Sequence, residues 1–219
     1  MSMFRVHTIP GSPFARAVLA TLEEKKADYS LVPIAPGKLK EKPHIEHQPF
    51  GRMPVLEHGG FILYETQAIL RYLDRVLPTP QLTPLDIKAA ARMDQIMNIS
   101  DWYLFQGVAN VIGFQRIVGP KLMGLTPDEQ IIAAAMPKAH IVVGELSRLL
   151  GEQGYFTGDT VSLADLHVAP QLDFLSMTPE WAALSAGRGN LDAWLSRMNA
   201  RESMQATTWE RVARLAQAA

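Results

Sequence analysis

Pro49-Phe50-Gly51-Arg52-Met53-Pro54-Val55-Leu56-Glu57-His58-Gly59-Gly60-Phe61-Ile62-Leu63-Tyr64-Glu65-Thr66-Gln67-Ala68-Ile69 contains a turn, two short apolar runs and a helix start, in that order. The runs 54–57 and 61–64 flank His58-Gly59-Gly60, which predicts a β-hairpin. The segment 66–77 follows directly, with Ile69, Leu73, Val76 and Leu77 on one side of a helix. Upstream, Phe4-Arg5-Val6-His7-Thr8 reads as a strand and Ile9-Pro10-Gly11-Ser12-Pro13 as a turn that opens a helix. Ser is a favoured N-cap and Pro a favoured first helical residue. Ala15, Val18, Leu19 and Leu22 then recur at i, i+3, i+4 and i+7, an amphipathic helix. A second strand is expected over 29–34, and Ala35-Pro36-Gly37 opens a polar connection that runs through Gln48. The order β-α-β-(α)-β-β-α predicts a mixed α/β domain over residues 1–77.

Residues 77–84, Leu-Pro-Thr-Pro-Gln-Leu-Thr-Pro, cannot continue a helix, because proline lacks the donor and clashes with the preceding turn. A linker over 78–83 is therefore expected, followed by an all-helical domain over 84–219. Helices are predicted over 84–118 (one or two), 126–150, 162–175, 190–199 and 203–218. Pro137 is expected to kink or split the second of these.

Composition narrows the chemistry. The 219 residues include no Cys, which excludes disulfides, thiolate metal sites, a Cys nucleophile and a redox CxxC motif. Any sulfur chemistry must come from a ligand. The net charge is −1, with 10 basic and 8 acidic residues up to position 80 and 11 and 14 beyond it. Neither part carries the basic excess of a nucleic-acid-binding protein. The longest uncharged stretch, 102–115, is too short and too interrupted to span a membrane. The N-terminus has no apolar run ending at a small-residue cleavage site, so a cytoplasmic location is expected.

Four constellations carry the candidate chemistry. Ser12 stands at a helix start, where unpaired N–H groups favour an anion; it can cap that helix, or donate a hydrogen bond to a bound thiolate. Met53-Pro54 precedes a strand, where either an ordinary edge proline or a cis bond presenting the Met53 backbone to an extended peptide fits. Glu65-Thr66 opens another helix; it can serve the helix dipole, or hold an α-amino acid head group through its carboxylate, hydroxyl and N–H groups. Val161-Ser162-Leu163-Ala164-Asp165-Leu166 reads as a capping box with Ser162 as N-cap and Asp165 at the third helical position, a structural feature. His44 and His47 lack further ligands at metal-binding spacing and are expected to be solvated, so no metal is expected. There is no phosphate-binding glycine loop and no hydrolase triad.

Taken together, Ser12 with Arg16, the run 49–56 and Glu65-Thr66 with Ala68-Ile69 make the chain resemble the glutathione transferase family along essentially its whole length. The run Lys40-Glu41-Lys42-Pro43-His44 and the later Gly124-Leu125-Thr126 with Asp128 are most similar to the serine-type phi class or a bacterial relative of it. The resemblance implies a thioredoxin-like N-terminal domain with a mixed four-stranded sheet and a C-terminal helical bundle. It implies glutathione as co-substrate, with Ser12 stabilising the thiolate and the Met53 backbone pairing with the cysteinyl part ahead of a cis Pro54. Glu65 and Thr66 would hold the γ-glutamyl head, and Lys40 and Arg52 would reach toward the glycyl carboxylate. The second substrate is a hydrophobic electrophile expected at the mouth between the two parts, with Phe14, Trp102, Tyr103, Phe105 and Phe114 as candidate lining. A homodimer is implied as well. The sequence departs from the family's usual residues at Leu39 (His), Gln48 (Asn), Arg52 (Gln) and Thr66 (Ser). The rival readings are a specialised glutathione-dependent dehalogenase, isomerase or peroxidase, and a non-catalytic binding or assembly module. Whether Thr8 or Arg16 assists Ser12 is left open by the sequence.

Overall fold

The computed structural model describes residues 3–35 and 37–218. The chain falls into two compact units, one running to Leu82 and taking in the chain from Ala200 onward, the other Thr83–Asn199. In the first, the order is β1 (Phe4–Thr8), α1 (Pro13–Glu24), β2 (Tyr29–Pro33), α2 (His44–His47), β3 (Val55–His58), β4 (Phe61–Tyr64) and α3 (Thr66–Val76). The expected strand and helix pattern is present, and the polar connection after β2 contains the single turn α2. Pro36, in the run that opens that connection, lies outside the described residues.

The strands form one sheet in the order β2-β1-β3-β4. β1 is parallel to β2 and antiparallel to β3, and β3 is antiparallel to β4. His7 pairs with Val55, and Val55 with Tyr64, so the end of β1, the start of β3 and the end of β4 lie side by side at one end of the sheet. The periodic residues of α1 are all buried, as are Ile69 and Leu73 of α3. At the far end of α1 the Lys25 ammonium is buried; it donates to Asp74 Oδ1 at 2.6 Å, to the Leu77 carbonyl at 2.6 Å and to the Pro80 carbonyl. Asp74 in turn accepts from the Leu82 N–H at 3.0 Å. The charge is therefore fully hydrogen-bonded, as burial demands, and it fastens the proline-rich segment to α3.

The second unit holds α4 (Ile87–Ile99), a wider helical stretch Ser100–Ala109, α5 (Asn110–Gly113), a second wide turn Phe114–Val118, α6 (Gly119–Met123), α7 (Glu129–Leu150), α8 (Leu163–Ser176), α9 (Trp181–Ser185) and α10 (Gly189–Asn199). The pattern read over 84–118 is broken at Gln106 and Gly107, the latter at φ 85°. Lys138 Nζ donates to the freed Gln106 carbonyl at 2.6 Å, and Asn110 Oδ1 accepts from the Gly107 N–H at 2.8 Å. Pro137 does not split α7, which runs unbroken through it. Every residue from Leu163 to Leu175 of α8 is buried, which makes it the central helix of this unit.

Two differences from the sequence reading stand out. The helix expected over 203–218 is two, α11 (Glu202–Ala206) and α12 (Trp209–Ala218). Both belong to the first unit, although the sequence assigns 84–219 to one helical domain. Arg201 grips both oxygens of Glu24 of α1, at 2.6 and 2.8 Å, and Ser203 Oγ donates to Glu24 Oε1 at 2.6 Å.

Candidate active site

The predicted site residues of the first unit leave the sheet at one end. Ser12 follows β1, Met53 and Pro54 precede β3, and Glu65 and Thr66 follow β4, the three strands being paired there through His7, Val55 and Tyr64.

Ser12 is half-buried and caps α1, its Oγ accepting from the Ala15 N–H at 3.2 Å while its carbonyl accepts from Arg16. That bond uses a lone pair and leaves the hydroxyl proton to be donated, so capping and donation are compatible. Gly11 adopts φ 91°, and a Cβ built there would fall 2.7 Å from the Trp209 indole. Glycine is thus required twice, by conformation and by the close approach of α12. Thr8 Oγ1 donates to the Ile9 carbonyl, and Arg16 Nη2 donates to the Met204 carbonyl at 3.2 Å.

The Met53–Pro54 bond is cis. Met53 Sδ accepts from the Ile9 N–H at 3.2 Å, which ties this loop to the one carrying Ser12. The loop before it is internally braced: Gln48, almost fully buried, accepts from the Arg52 N–H through Oε1 at 3.0 Å, and His44 Nε2 lies 2.6 Å from the Arg52 carbonyl. Lys40 and Arg52 are exposed, and the Lys40 stem lies against the loop that carries Arg52, since a Cβ on Gly51 would fall 2.8 Å from Lys40 Cγ. Two cations beside one loop suit a carboxylate.

Glu65 is exposed and holds φ 70°, ψ 113°, whereas Thr66 is buried. A non-glycine residue in that region costs on the order of 1–3 kcal/mol and persists where the surroundings enforce it, often at binding sites. Nothing in the sequence signals that strain. His44 and His47 also differ from the reading that made them solvated: His44 is 5% exposed and His47 is half-buried, because α2 lies close to the sheet, with His7 facing both rings.

The candidate aromatic residues are placed as follows. Phe14 is half-buried on α1; in the second unit Trp102 and Tyr103 are 63% and 57% exposed, Phe114 is exposed, and Phe105 is half-buried. Ser162 and Asp165 are buried at the start of α8. Asp165 Oδ2 accepts from the Ser162 N–H and Oγ at 2.9 and 2.7 Å, and Oδ1 from the Phe156 N–H and Trp194 Nε1 at 2.9 and 2.8 Å.

Comparison with known proteins matches this architecture. The family model described as glutathione S-transferase, N-terminal domain, matches residues 2–75, and the C-terminal domain model matches residues 108–202. The chain belongs to the glutathione S-transferase family. A glutathione S-transferase of Hyoscyamus muticus is 32% identical over 90% of this chain and 93% of its own. The crystal structure of glutathione transferase F7 from Populus trichocarpa superposes with a TM-score of 0.83 at 28% identity, covering 98% of this chain and 99% of that one. A glutathione S-transferase I solved with lactoylglutathione gives a TM-score of 0.82 at 27% identity, with 99% of each chain covered. The similarity is to phi-class plant enzymes, the class that the sequence resembles.

Proposed function

We propose that this glutathione transferase binds glutathione across the sheet end built by Ser12, Met53-Pro54 and Glu65-Thr66, and adds the glutathione thiolate to the electrophilic carbon of a hydrophobic substrate. The observation that carries the assignment of residues is the convergence of these three motifs at one end of the sheet, on strands paired through His7, Val55 and Tyr64. Glu65 and Thr66 receive the γ-glutamyl head group, the Met53 backbone pairs with the cysteinyl unit, and Lys40 and Arg52 meet the glycyl carboxylate. The glutathione thiol gives up its proton to solvent, and Ser12 keeps its own proton and donates a hydrogen bond to the resulting thiolate. A free thiol has a pKa of about 8.5, and each unit of lowering requires about 1.4 kcal/mol of preferential thiolate stabilisation. One charge-assisted hydrogen bond at a helix N-terminus supplies that order of energy. The thiolate lone pair then forms the carbon–sulfur bond, and the electrons displaced from carbon leave with the departing group or take up a proton. The exposed rings of Trp102 and Tyr103 offer apolar surface for the electrophile. The enzyme acts as a homodimer in the cytoplasm, with detoxification as its role.

The test is the ultraviolet thiolate absorbance of glutathione bound to the wild-type protein at neutral pH, with Ser12→Ala in parallel. Thiolate in the wild type and its loss in the variant are expected. Bound glutathione without thiolate in the wild type would remove the catalytic assignment.

A further inference from the structure

Besides the glutathione residues, the sheet carries a second group of chemistry-bearing side chains. In the β1–β3 register, Arg5 and His7 share a face with Val55 and Glu57, and His47, the last residue of α2, comes to the same face. His7 Nε2 meets Glu57 Oε1, and His47 Nδ1 lies 3.9 Å from that same oxygen. The His47 ring stands edge-on to His7 with centroids 5.3 Å apart. One ligand atom from each of the three residues falls within 4.8 Å of the other two.

We infer that His7, His47 and Glu57 form a binding site for a borderline divalent transition metal of the Zn2+ type. An imidazole–carboxylate pair needs one histidine; a second one on the same oxygen calls for another explanation. His47 Nδ1 is buried and has no hydrogen-bond partner among the described residues, yet it is turned toward the Glu57 oxygen that already serves His7. Two imidazoles and a carboxylate are a donor set that such a cation favours. Metal–ligand bonds of about 2.0–2.1 Å place tetrahedral ligand atoms about 3.4 Å apart, so the 3.9 Å separation closes with a small side-chain rotation. The carboxylate is already oriented: Arg5 Nη1 donates to Glu57 Oε2 at 2.7 Å, as an outer-sphere partner does, and the cation would take the place of the proton between Oε1 and His7 Nε2, the two atoms moving apart to admit it. His7 is 6% exposed. His47 and Glu57 are half-buried, so a water molecule can complete the coordination. Because the ligands come from β1, β3 and α2, the bound ion would clamp α2 to the sheet.

The experiment titrates chelator-treated full-length protein with ZnCl2 in a calorimeter and with Co2+ by visible absorbance, beside His47→Ala, Glu57→Gln and, as an exposed control, His140→Ala. One ion per chain is expected for the wild type and for His140→Ala. Affinity should fall by more than about a hundredfold in His47→Ala and Glu57→Gln, since even outer-sphere partners are worth 10–100-fold. Zn2+ should also raise the thermal midpoint of the wild type and leave that of His47→Ala unmoved. The site does not exist if the wild type takes up no Zn2+ at micromolar concentration, or if both cluster variants, folded by circular dichroism, bind as the wild type does. Neither result bears on glutathione, which is measured separately through its thiolate.

Discussion

Ser12 serves two purposes with one oxygen: its lone pair closes the first turn of α1 and its proton is left for a ligand. The two roles separate by substitution. Ser12→Ala loses both; the cap costs about 0.5–2 kcal/mol of stability. A hydrogen bond to a charged group is worth about 1.5–3 kcal/mol, so at 1.36 kcal/mol per unit the pKa of bound glutathione should rise by about 1–2 units. Ser12→Asp keeps the cap acceptor but, ionised, has no proton to give. It should recover the denaturation midpoint and not the thiolate, as read by pH titration of the thiolate absorbance. Recovery of both would mean that the hydroxyl proton is not the activating group.

Glu65 poses the opposite trade. Its φ of 70° is unfavourable for any residue with a Cβ, so Glu65→Gly should raise stability by about 1 kcal/mol while weakening glutathione binding through loss of the carboxylate. Denaturant midpoint and calorimetric affinity should therefore move in opposite directions. Affinity unchanged in this variant would remove Glu65 from the γ-glutamyl subsite. The helix starts at Ser12 and Glu65 are legible in the sequence as local patterns, and the roles proposed for these residues come from the family resemblance. The strain at Glu65 and the Trp209 ring over Gly11 are not legible, since tertiary context imposes both.

At the level of elements, the start of α8 shows how a local motif is drawn into long-range packing. Ser162 and Asp165 sit three apart as a capping box requires, and loss of the Ser162 hydroxyl should cost about 0.5–2 kcal/mol. Asp165 does more than the motif asks, because its other oxygen accepts from Phe156 N–H and Trp194 Nε1. Asp165→Ala leaves several buried donors without a partner, each costing about 1–3 kcal/mol. It should therefore destabilise by several kcal/mol more than Ser162→Ala in urea unfolding, and equal costs would reduce Asp165 to a cap. The same contrast governs what periodicity can tell. The hairpin, α1 and α3 follow from patterns of two or of three to four residues. The break at Gln106-Gly107 depends on Lys138 to take up a freed carbonyl, and the cluster of His7, His47 and Glu57 depends on strand register. Spacing along the chain reveals neither.

For the molecule as a whole, the first unit is assembled from both ends of the chain, with Thr83–Asn199 inserted between them. The proline-rich boundary near residue 82 is visible in the sequence; the return of the chain at Ala200 is not, because a helix packed on the sheet unit has the same period as one packed in a bundle. That return rests on Glu24. Burial alone would raise its carboxyl, but the hydrogen bonds from Arg201 and Ser203 outweigh burial and hold it below the ordinary value of 4.5. A carboxyl depressed in the folded state binds fewer protons there than in the unfolded chain, so its stabilisation is complete above pH 4.5. It is lost as the pH falls through the folded value. Arg201→Ala should thus cost about 1.5–3 kcal/mol near neutrality. Its deficit relative to the wild type should shrink as acid protonates Glu24, so the two stability curves converge at low pH. Curves that stay parallel through the acid limb would mean that the C-terminal segment is held by apolar contacts, with Glu24 and Arg201 only neighbours.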